Sequence, residues 1–93
     1  MSSFKELKVW QKAMNLVKKT YQVSAHFPHQ EQYGLTSQIR RSAISIPSNI
    51  AEGKNRNSKL EFKRFINIAL GSTAELETQI ILSHDLGYTE EKV

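Results

Sequence analysis

The chain has 93 residues, of which 13 are Lys or Arg and nine are Asp or Glu, giving a formal net charge of +4. Its length suits one domain, residues 1–93, whose core is small enough that association with other copies would add to its stability. The absence of cysteine excludes disulfides, thiolate zinc sites and cysteine nucleophiles, and the charged first turns exclude a signal peptide or a membrane span there, so we expect a cytoplasmic protein.

The first predicted helix runs from about Phe4 to Ala25. Its apolar residues recur at intervals of three and four, which is typical of one face of an amphipathic helix. This face comprises Leu7, Trp10, Ala13, Met14, Val17 and Tyr21. Ser3 and Glu6 have the spacing of a capping box. Pro28 ends the helix, because the residue before a proline is disfavoured in helical geometry, and the polar stretch that follows is expected to join two antiparallel helices.

The second predicted helix runs from Thr36 to Glu52, after a turn at Gly34. Thr36 is a residue type that caps helix N-termini, and Gly53 is one that ends helices at the C′ position. Apolar residues again recur at intervals of four and three. They are Ile39, Ala43, Ile46 and Ile50. This spacing predicts a stripe along which the helix packs against its neighbours in a bundle.

Pro47 interrupts this apolar stripe. Proline has no N–H to donate to the carbonyl of Ala43, and its ring crowds that carbonyl, at a cost of about 3 kcal/mol in an exposed helix. Three serines are close enough in sequence for their hydroxyls to occupy freed backbone groups. They are Ser42, Ser45 and Ser48. We therefore expect serine hydroxyls to compensate for the proline, and a kink there to help the helix fit its neighbours.

The third predicted helix begins after a second capping box, Ser58 with Glu61, and ends near Leu86 with Gly87 at C′. Its main stripe is expected to be Phe62, Ile66, Ala69, Thr73, Leu76 and Ile80. Further apolar residues broaden the stripe on both sides, so three helices alone would leave part of this surface exposed. Thr89 and the acidic residues after it resemble the start of a fourth helix. The pattern predicts an all-α, up-down antiparallel helical bundle with three full helices and a fourth that is truncated or only begun.

Charge changes sign along the chain. Residues 1–39 carry five Lys against two Glu (+3), residues 40–64 carry seven Lys or Arg against two Glu (+5), and residues 65–93 carry one Lys against five acidic residues (−4). A basic middle and an acidic end favour polyanion binding, self-association, or both. The candidate nucleic-acid-binding residues are Arg40, Arg41, Lys54, Arg56, Lys59, Lys63 and Arg64. The alternative is a solvated surface with local ion pairs, including one between Arg41 and Glu52 or a carboxylate of the third helix.

No pattern in the sequence predicts a catalytic residue, a metal site or a cofactor. His26 and His29 have an H-x-x-H spacing, but it straddles a proline, so one helix would not hold both rings. The Glu-x-x-His pairs of di-iron bundles, the G-x-S-x-G of serine hydrolases and glycine-rich phosphate loops are all missing from the sequence. We therefore expect neither an enzyme nor a protein with a small-molecule substrate.

Four stretches of the chain resemble a known family, and together they span nearly all of its length. They are LKVWQKA (7–13), YGLTSQIRRSAISIPSNIAEG (33–53), FKRFINIALGSTAELET (62–78) and LGY (86–88). They are similar to the four-helix-bundle proteins encoded by intervening sequences in bacterial 23S ribosomal RNA genes. The resemblance implies an up-down bundle that assembles as a ring, commonly a pentamer. It also implies similarity to the accessory variability protein of diversity-generating retroelements, a basic pentamer thought to bind nucleic acid.

No catalytic activity is established for that family, and its members normally continue through a whole fourth helix. Charge and resemblance together predict a non-enzymatic homo-oligomer, a pentamer by resemblance, that binds RNA or DNA through a basic surface. The alternative is a protein–protein assembly or adaptor module without a direct role in nucleic-acid binding.

Overall fold

The computed structural model describes residues 3–90, which are helical apart from turns and short connections, with no strand among them. Two short 3-10 helices, Phe4–Glu6 and His29–Glu31, alternate with the longer helices α1 (Lys8–Ser24), α2 (Leu35–Asn55) and α3 (Lys59–Asp85). The all-α fold and the three full helices are confirmed. None of the helices in these residues is long and apolar enough to cross a membrane.

The three helices run antiparallel, and α2 lies between the other two. Ser45 bonds to Ser72 across the α2–α3 seam, and Gly53, two turns later, lies beside Phe65 near the start of α3. On the other side, Arg40 near the start of α2 bonds to Ser24 at the end of α1. No Cα of α1 lies within 8 Å of a Cα of α3. The arrangement is elongated, measuring 45 × 22 × 19 Å, so its two ends are separate surfaces.

The predicted stripe of α2 is the centre of the core. Its four residues are buried, and they cluster with side chains of both neighbouring helices. The buried members of the cluster are Ala13, Phe27, Ile39, Ala43, Ile46, Ile50, Ala69 and Leu76. Burying aliphatic side chains of this size stabilises a fold by about 1.5–3 kcal/mol each. The helical spacing of the isoleucines therefore predicted the central packing surface correctly.

The first helix differs from its prediction at its start and in its buried face. The chain forms a 3-10 turn whose Ser3 hydroxyl accepts from the N–H of Lys5, and α1 begins only at Lys8. The face turned to the core is rotated toward Thr20 and Ser24, which are buried, while Tyr21 stays 40 % exposed. Both buried hydroxyls donate to carbonyls of their own helix, at 2.8 and 2.7 Å, so their burial leaves no unmet donor.

Both predicted ends of the second helix were wrong. The N-cap is Gly34, and Thr36 is buried one residue inside the helix. At the other end the helix continues through Gly53 to Asn55, and the left-handed residue that follows it is Asn57, with a φ of 57°. Asparagine tolerates this conformation better than most residues. Gly53 is needed for another reason, because a Cβ there would lie 2.6 Å from the Cβ of Phe65.

Pro47 is accommodated inside α2, where it is buried. The compensation predicted for Ser45 was wrong, since its hydroxyl bonds to the hydroxyl of Ser72 at 2.8 Å. The side-chain amide of Asn49 donates to both the carbonyl and the hydroxyl of Ser45, at 2.7 and 3.0 Å. The polar groups around the proline therefore connect α2 to α3, and Pro47 itself faces Trp10 and Met14 of α1.

The predicted N-cap Ser58 and the predicted C′ residue Gly87 of the third helix are confirmed, whereas the carboxylate of Glu61 pairs with Arg64 and does not complete the capping box. The Ser58 hydroxyl accepts from the N–H of Glu61 at 3.2 Å. At the other end Gly87 has a φ of 77°, its N–H bonds to the carbonyl of His84, and the N–H of Tyr88 bonds to the carbonyl of Ser83. This pair of bonds is the Schellman motif, in which a left-handed residue satisfies the last free carbonyls of a helix.

The buried stripe of α3 is rotated from the predicted one. It consists of Phe65, Ala69, Ser72, Leu76 and Ser83, and the predicted member Thr73 is exposed. As expected, the helix also exposes large apolar side chains, including Leu60, Leu70, Ile81 and Leu82. Thr89 and Glu90 are not helical, and the rest of the predicted fourth helix, residues 91–93, lies outside the described residues.

Candidate nucleic-acid interface

The seven basic residues predicted from the sequence fall into two separate places. Arg40 and Arg41 lie in the first half of α2, and the other five lie at its end, in the loop and in the first turns of α3. From Arg41 to Lys54 the helix advances by about 20 Å at 1.5 Å per residue. The predicted set is therefore not one continuous patch.

Arg40 is engaged within the fold. Its Nε donates to the Ser24 hydroxyl at 2.8 Å, and its Cζ lies 4.5 Å from the centre of the Tyr21 ring. The side chain is half-buried. These contacts hold the start of α2 against the end of α1, so the guanidinium acts primarily in packing.

Arg41, the next residue, is exposed. The suggested ion pair with Glu52 was wrong, because Glu52 pairs with Arg56 at 3.2 Å. Arg41 has no hydrogen bond or ion pair with any residue of the described range 3–90. It lines a concave surface together with Tyr33 and Ile44. The two adjacent arginines thus have opposite roles: one is used by the fold and the other is available.

Arg56 and Arg64 lie on either side of the loop and share one aromatic ring. Their Cζ atoms are 5.0 and 4.8 Å from the centre of the Phe65 ring. Each also pairs with a carboxylate one helical turn away, Arg56 with Glu52 and Arg64 with Glu61 at 3.3 Å. Both guanidinium groups are about half exposed. These contacts orient the arginines while leaving them accessible to a ligand.

Of the three lysines at this end, Lys59 and Lys63 are exposed and Lys54 is half-buried. Lys54 and Lys59 line a cavity of about 360 Å³ with Asn57 and Ser58, and Lys63 lies one turn further along α3 and is exposed. None of the three is paired with another residue in the described part of the chain. They are therefore the cations at this end with the least competition from protein carboxylates.

Antiparallel packing adds three lysines that the sequence reasoning missed. The start of α1 lies at the same end of the molecule as the α2–α3 loop, because the short helix before α1 packs against α2 and α1 runs antiparallel to α2. We call this surface the basic end. It comprises Lys5, Lys8, Lys12, Lys54, Arg56, Lys59, Lys63 and Arg64, together with Glu6, Glu52 and Glu61. Eight cations against three carboxylates give this end a net charge of +5. The three additional lysines could have been identified from the sequence, because the predicted antiparallel order of the helices brings the start of α1 to this end.

The opposite end of the molecule, which we call the far end, has a different balance. Its charged residues within 3–90 are Lys18, Lys19, Arg40, Arg41, Glu31, Glu75, Glu77, Asp85 and Glu90, giving −1. The Glu31 carboxylate accepts from the Leu35 N–H at 3.1 Å and from the Tyr88 hydroxyl at 2.9 Å. That bond to a carboxylate, with partial desolvation, raises the pKa of Tyr88 above its ordinary value. The far end thus uses its charged groups to hold the chain connections together.

The three histidines, His26, His29 and His84, also lie at the far end. His26 and His84 line a cavity of about 700 Å³ together with Tyr88. Within residues 3–90, no three or more His, Cys, Asp or Glu side chains form a group that could hold a metal ion.

A family model described as 23S rRNA-intervening sequence protein matches residues 5–93. No curated protein matches the chain. The family match covers all three helices and both ends of the molecule, so it applies to the whole fold and not to one motif.

Proposed function

The chain belongs to the family of 23S rRNA-intervening sequence proteins, and we propose that it is a non-enzymatic protein that binds nucleic acid, RNA or DNA, through its basic end. The observation that carries the proposal is the collection of eight Lys and Arg residues against three Glu at one end of the elongated fold. A phosphate backbone releases counterions when such a surface neutralises it, and the favourable free energy of this release increases with each phosphate contact.

The chemistry of the basic end supports phosphate contacts of two kinds. Lys54, Lys59 and Lys63 are solvated point charges that adapt to a phosphate at several positions. Arg56 and Arg64 are held by the Phe65 ring and by neighbouring carboxylates, so less side-chain freedom is lost when they bind. Contacts of this kind position a nucleic acid without reading its sequence. A cytoplasmic location, where both RNA and DNA are accessible in a bacterium, is part of the proposal.

A salt titration tests the proposed function. We expect the protein to bind a structured RNA hairpin and duplex DNA at low salt, with log affinity falling linearly as log salt rises. Changing Lys54, Lys59 and Lys63 to Gln removes three cations that have no ion pair in the described part of the chain, and the salt slope should fall by about three. Fluorescence anisotropy at several salt concentrations measures both quantities.

The matched control changes Lys18 and Lys19 to Gln and is compared with the Lys59 and Lys63 double variant. Both doubles lower the net charge by two, but one alters the far end and the other the basic end. If the two doubles lose equal affinity, net charge alone explains binding and the basic end is not an interface. No binding of either nucleic acid at low salt rejects the proposal altogether.

A second candidate function is assembly, favoured by the apolar side chains exposed along α3. Leu60 is 77 % exposed and Leu70 is 61 % exposed, which is unusual for a helix that lies permanently in water. A homo-oligomer, a pentamer by the resemblance of the sequence, would cover part of this surface, as would an adaptor role toward another protein. Light scattering of the purified chain gives its mass. A stable complex that survives nuclease and high salt, with no affinity for oligonucleotides, supports this candidate over the first.

A further inference from the structure

The far end carries a cleft that the proposed function leaves unused. It is a concave surface of about 730 Å³ between the connection that precedes α2 and the outward face of α2. Tyr33 stands at its edge with 90 % of its surface exposed, and Ile44 lies along its wall. An aromatic ring this exposed makes little contribution to the core.

The other wall of the cleft is held in place by the fold. The Tyr21 ring has the Arg40 guanidinium 4.5 Å from its centre, and Arg40 is tied to Ser24 in turn. Arg41, by contrast, is exposed and has no ion pair or hydrogen bond within residues 3–90. The lining residues include two arginines and no carboxylate. The cleft therefore combines an open aromatic face with an available cation and is complementary to an anion that carries a flat ring.

A nucleotide is the unit that has both features. We propose that this cleft binds an unpaired nucleotide of a single strand, with the base stacked on Tyr33 and its phosphate against Arg41. The inference rests on the proposed function, since one strand crossing about 20 Å along α2 reaches both the cleft and the basic end. A duplex keeps its bases stacked inside, whereas every unpaired base presents a face to an aromatic side chain. The cleft thus makes the protein prefer single strands, which the basic end alone does not.

The test compares an unstructured 12-nucleotide RNA with a 12-base-pair DNA duplex, each labelled for fluorescence anisotropy. Tyr33→Ala should weaken single-strand binding by about 5- to 150-fold, the effect of losing one base–aromatic stack, and leave duplex binding unchanged. Tyr33→Phe, which keeps the ring, should retain single-strand affinity. Leu86→Ala, which removes a half-exposed apolar side chain outside both the cleft and the basic end, is the matched control and should change neither affinity.

A second variant tests the cation. Arg41→Ala should lower the salt slope for the single strand by about one, as expected for one phosphate contact, without changing the slope for the duplex. Circular dichroism melting checks that each variant remains folded.

The outcomes separate this inference from the proposed function. If wild type binds both ligands and Tyr33→Ala leaves the single-strand affinity unchanged, the cleft is not a nucleotide site while the basic end stands; a cleft that serves a protein partner gives this same result. Equal losses for single strand and duplex also overturn the inference, because they show that Tyr33 does not act on an unpaired base. If neither ligand binds at low salt, the proposed function fails and the inference fails with it.

Discussion

The two ends of this bundle are held together by different interactions. At the basic end, α2 and α3 approach closely at Gly53 and Phe65, and the lysines take no part in that packing. At the far end, charged side chains join the elements, as Arg40 does with Ser24 and Glu31 does with Tyr88. The comparison teaches that a charged residue is available to a ligand where the fold does not use its side chain to join one element to another. A count of charges along the sequence does not make that distinction.

The largest effect on stability is expected from breaking the close approach at the basic end. Gly53→Ala places a Cβ 2.6 Å from the Cβ of Phe65, and such overpacking costs about 1–3 kcal/mol of unfolding free energy. Gly71→Ala is the matched control, because a Cβ there meets nothing within 4 Å and alanine favours a helix by up to about 1 kcal/mol. Urea denaturation measures both changes. If the two variants shift stability in the same direction, α2 and α3 do not meet at Gly53 as described.

A smaller effect should come from the adjacent arginines of the far end. Arg40→Ala removes the bond to Ser24 and the stack on Tyr21, and we expect a loss of about 1–2 kcal/mol. Arg41→Ala should change the unfolding free energy by less than about 0.5 kcal/mol, since it alters an exposed side chain without partners in the described range. Thermal melting of the two variants checks this. Equal losses would contradict the division between a structural arginine and an available one.

The smallest effect concerns Tyr88 and pH. Its bond to Glu31 raises the pKa of the Tyr88 phenol in the folded state above the unfolded value of 10.0. The stability from this bond is fully present below pH 10.0 and is lost as pH rises through the folded pKa. Nuclear magnetic resonance of the labelled tyrosine ring should show Tyr88 titrating at higher pH in wild type than in the Glu31→Gln variant. An unchanged titration in that variant would show that the charge of the Glu31 carboxylate does not raise the pKa of Tyr88.

The ends of a helix were predictable from the sequence where a single residue determines them. Ser58 caps α3 because its hydroxyl accepts from a backbone N–H three residues later. Gly87 ends α3 because glycine adopts the left-handed conformation after the last turn. Gly53 was misassigned because a helix stop and a close helix crossing both favour glycine. Only the position of Phe65 in three dimensions distinguishes them.

The buried faces and the charged surface were only partly predictable, for physical reasons that the chain itself shows. Thr20, Ser24 and Ser83 are polar residue types, yet each is buried with its hydroxyl bonded to its own helix. A prediction from apolar residues alone therefore places the buried face of the helix to one side of the observed face. Arg40, which was predicted to belong to the candidate site, is used in packing α2 against α1. The candidate site gained Lys5 and Lys8, which lie far from the loop in sequence and come to the same end only when α1 docks on α2.

The position of α2 between the other two helices has a consequence for how the chain opens. Because the backbone of α1 comes within 8 Å of α2 and not of α3, we expect α1 to detach first, while the α2–α3 pair keeps its Ser45–Ser72 bond and its contact at Gly53. The amide protons of α1 should therefore exchange with solvent through this partial opening, and those at the centre of α2 only through global unfolding. Both helix pairs join neighbours in sequence, a topology with low contact order that favours rapid folding. The departure of α1 separates Lys5, Lys8 and Lys12 from the other five cations, so the basic end exists only while this least anchored helix is docked.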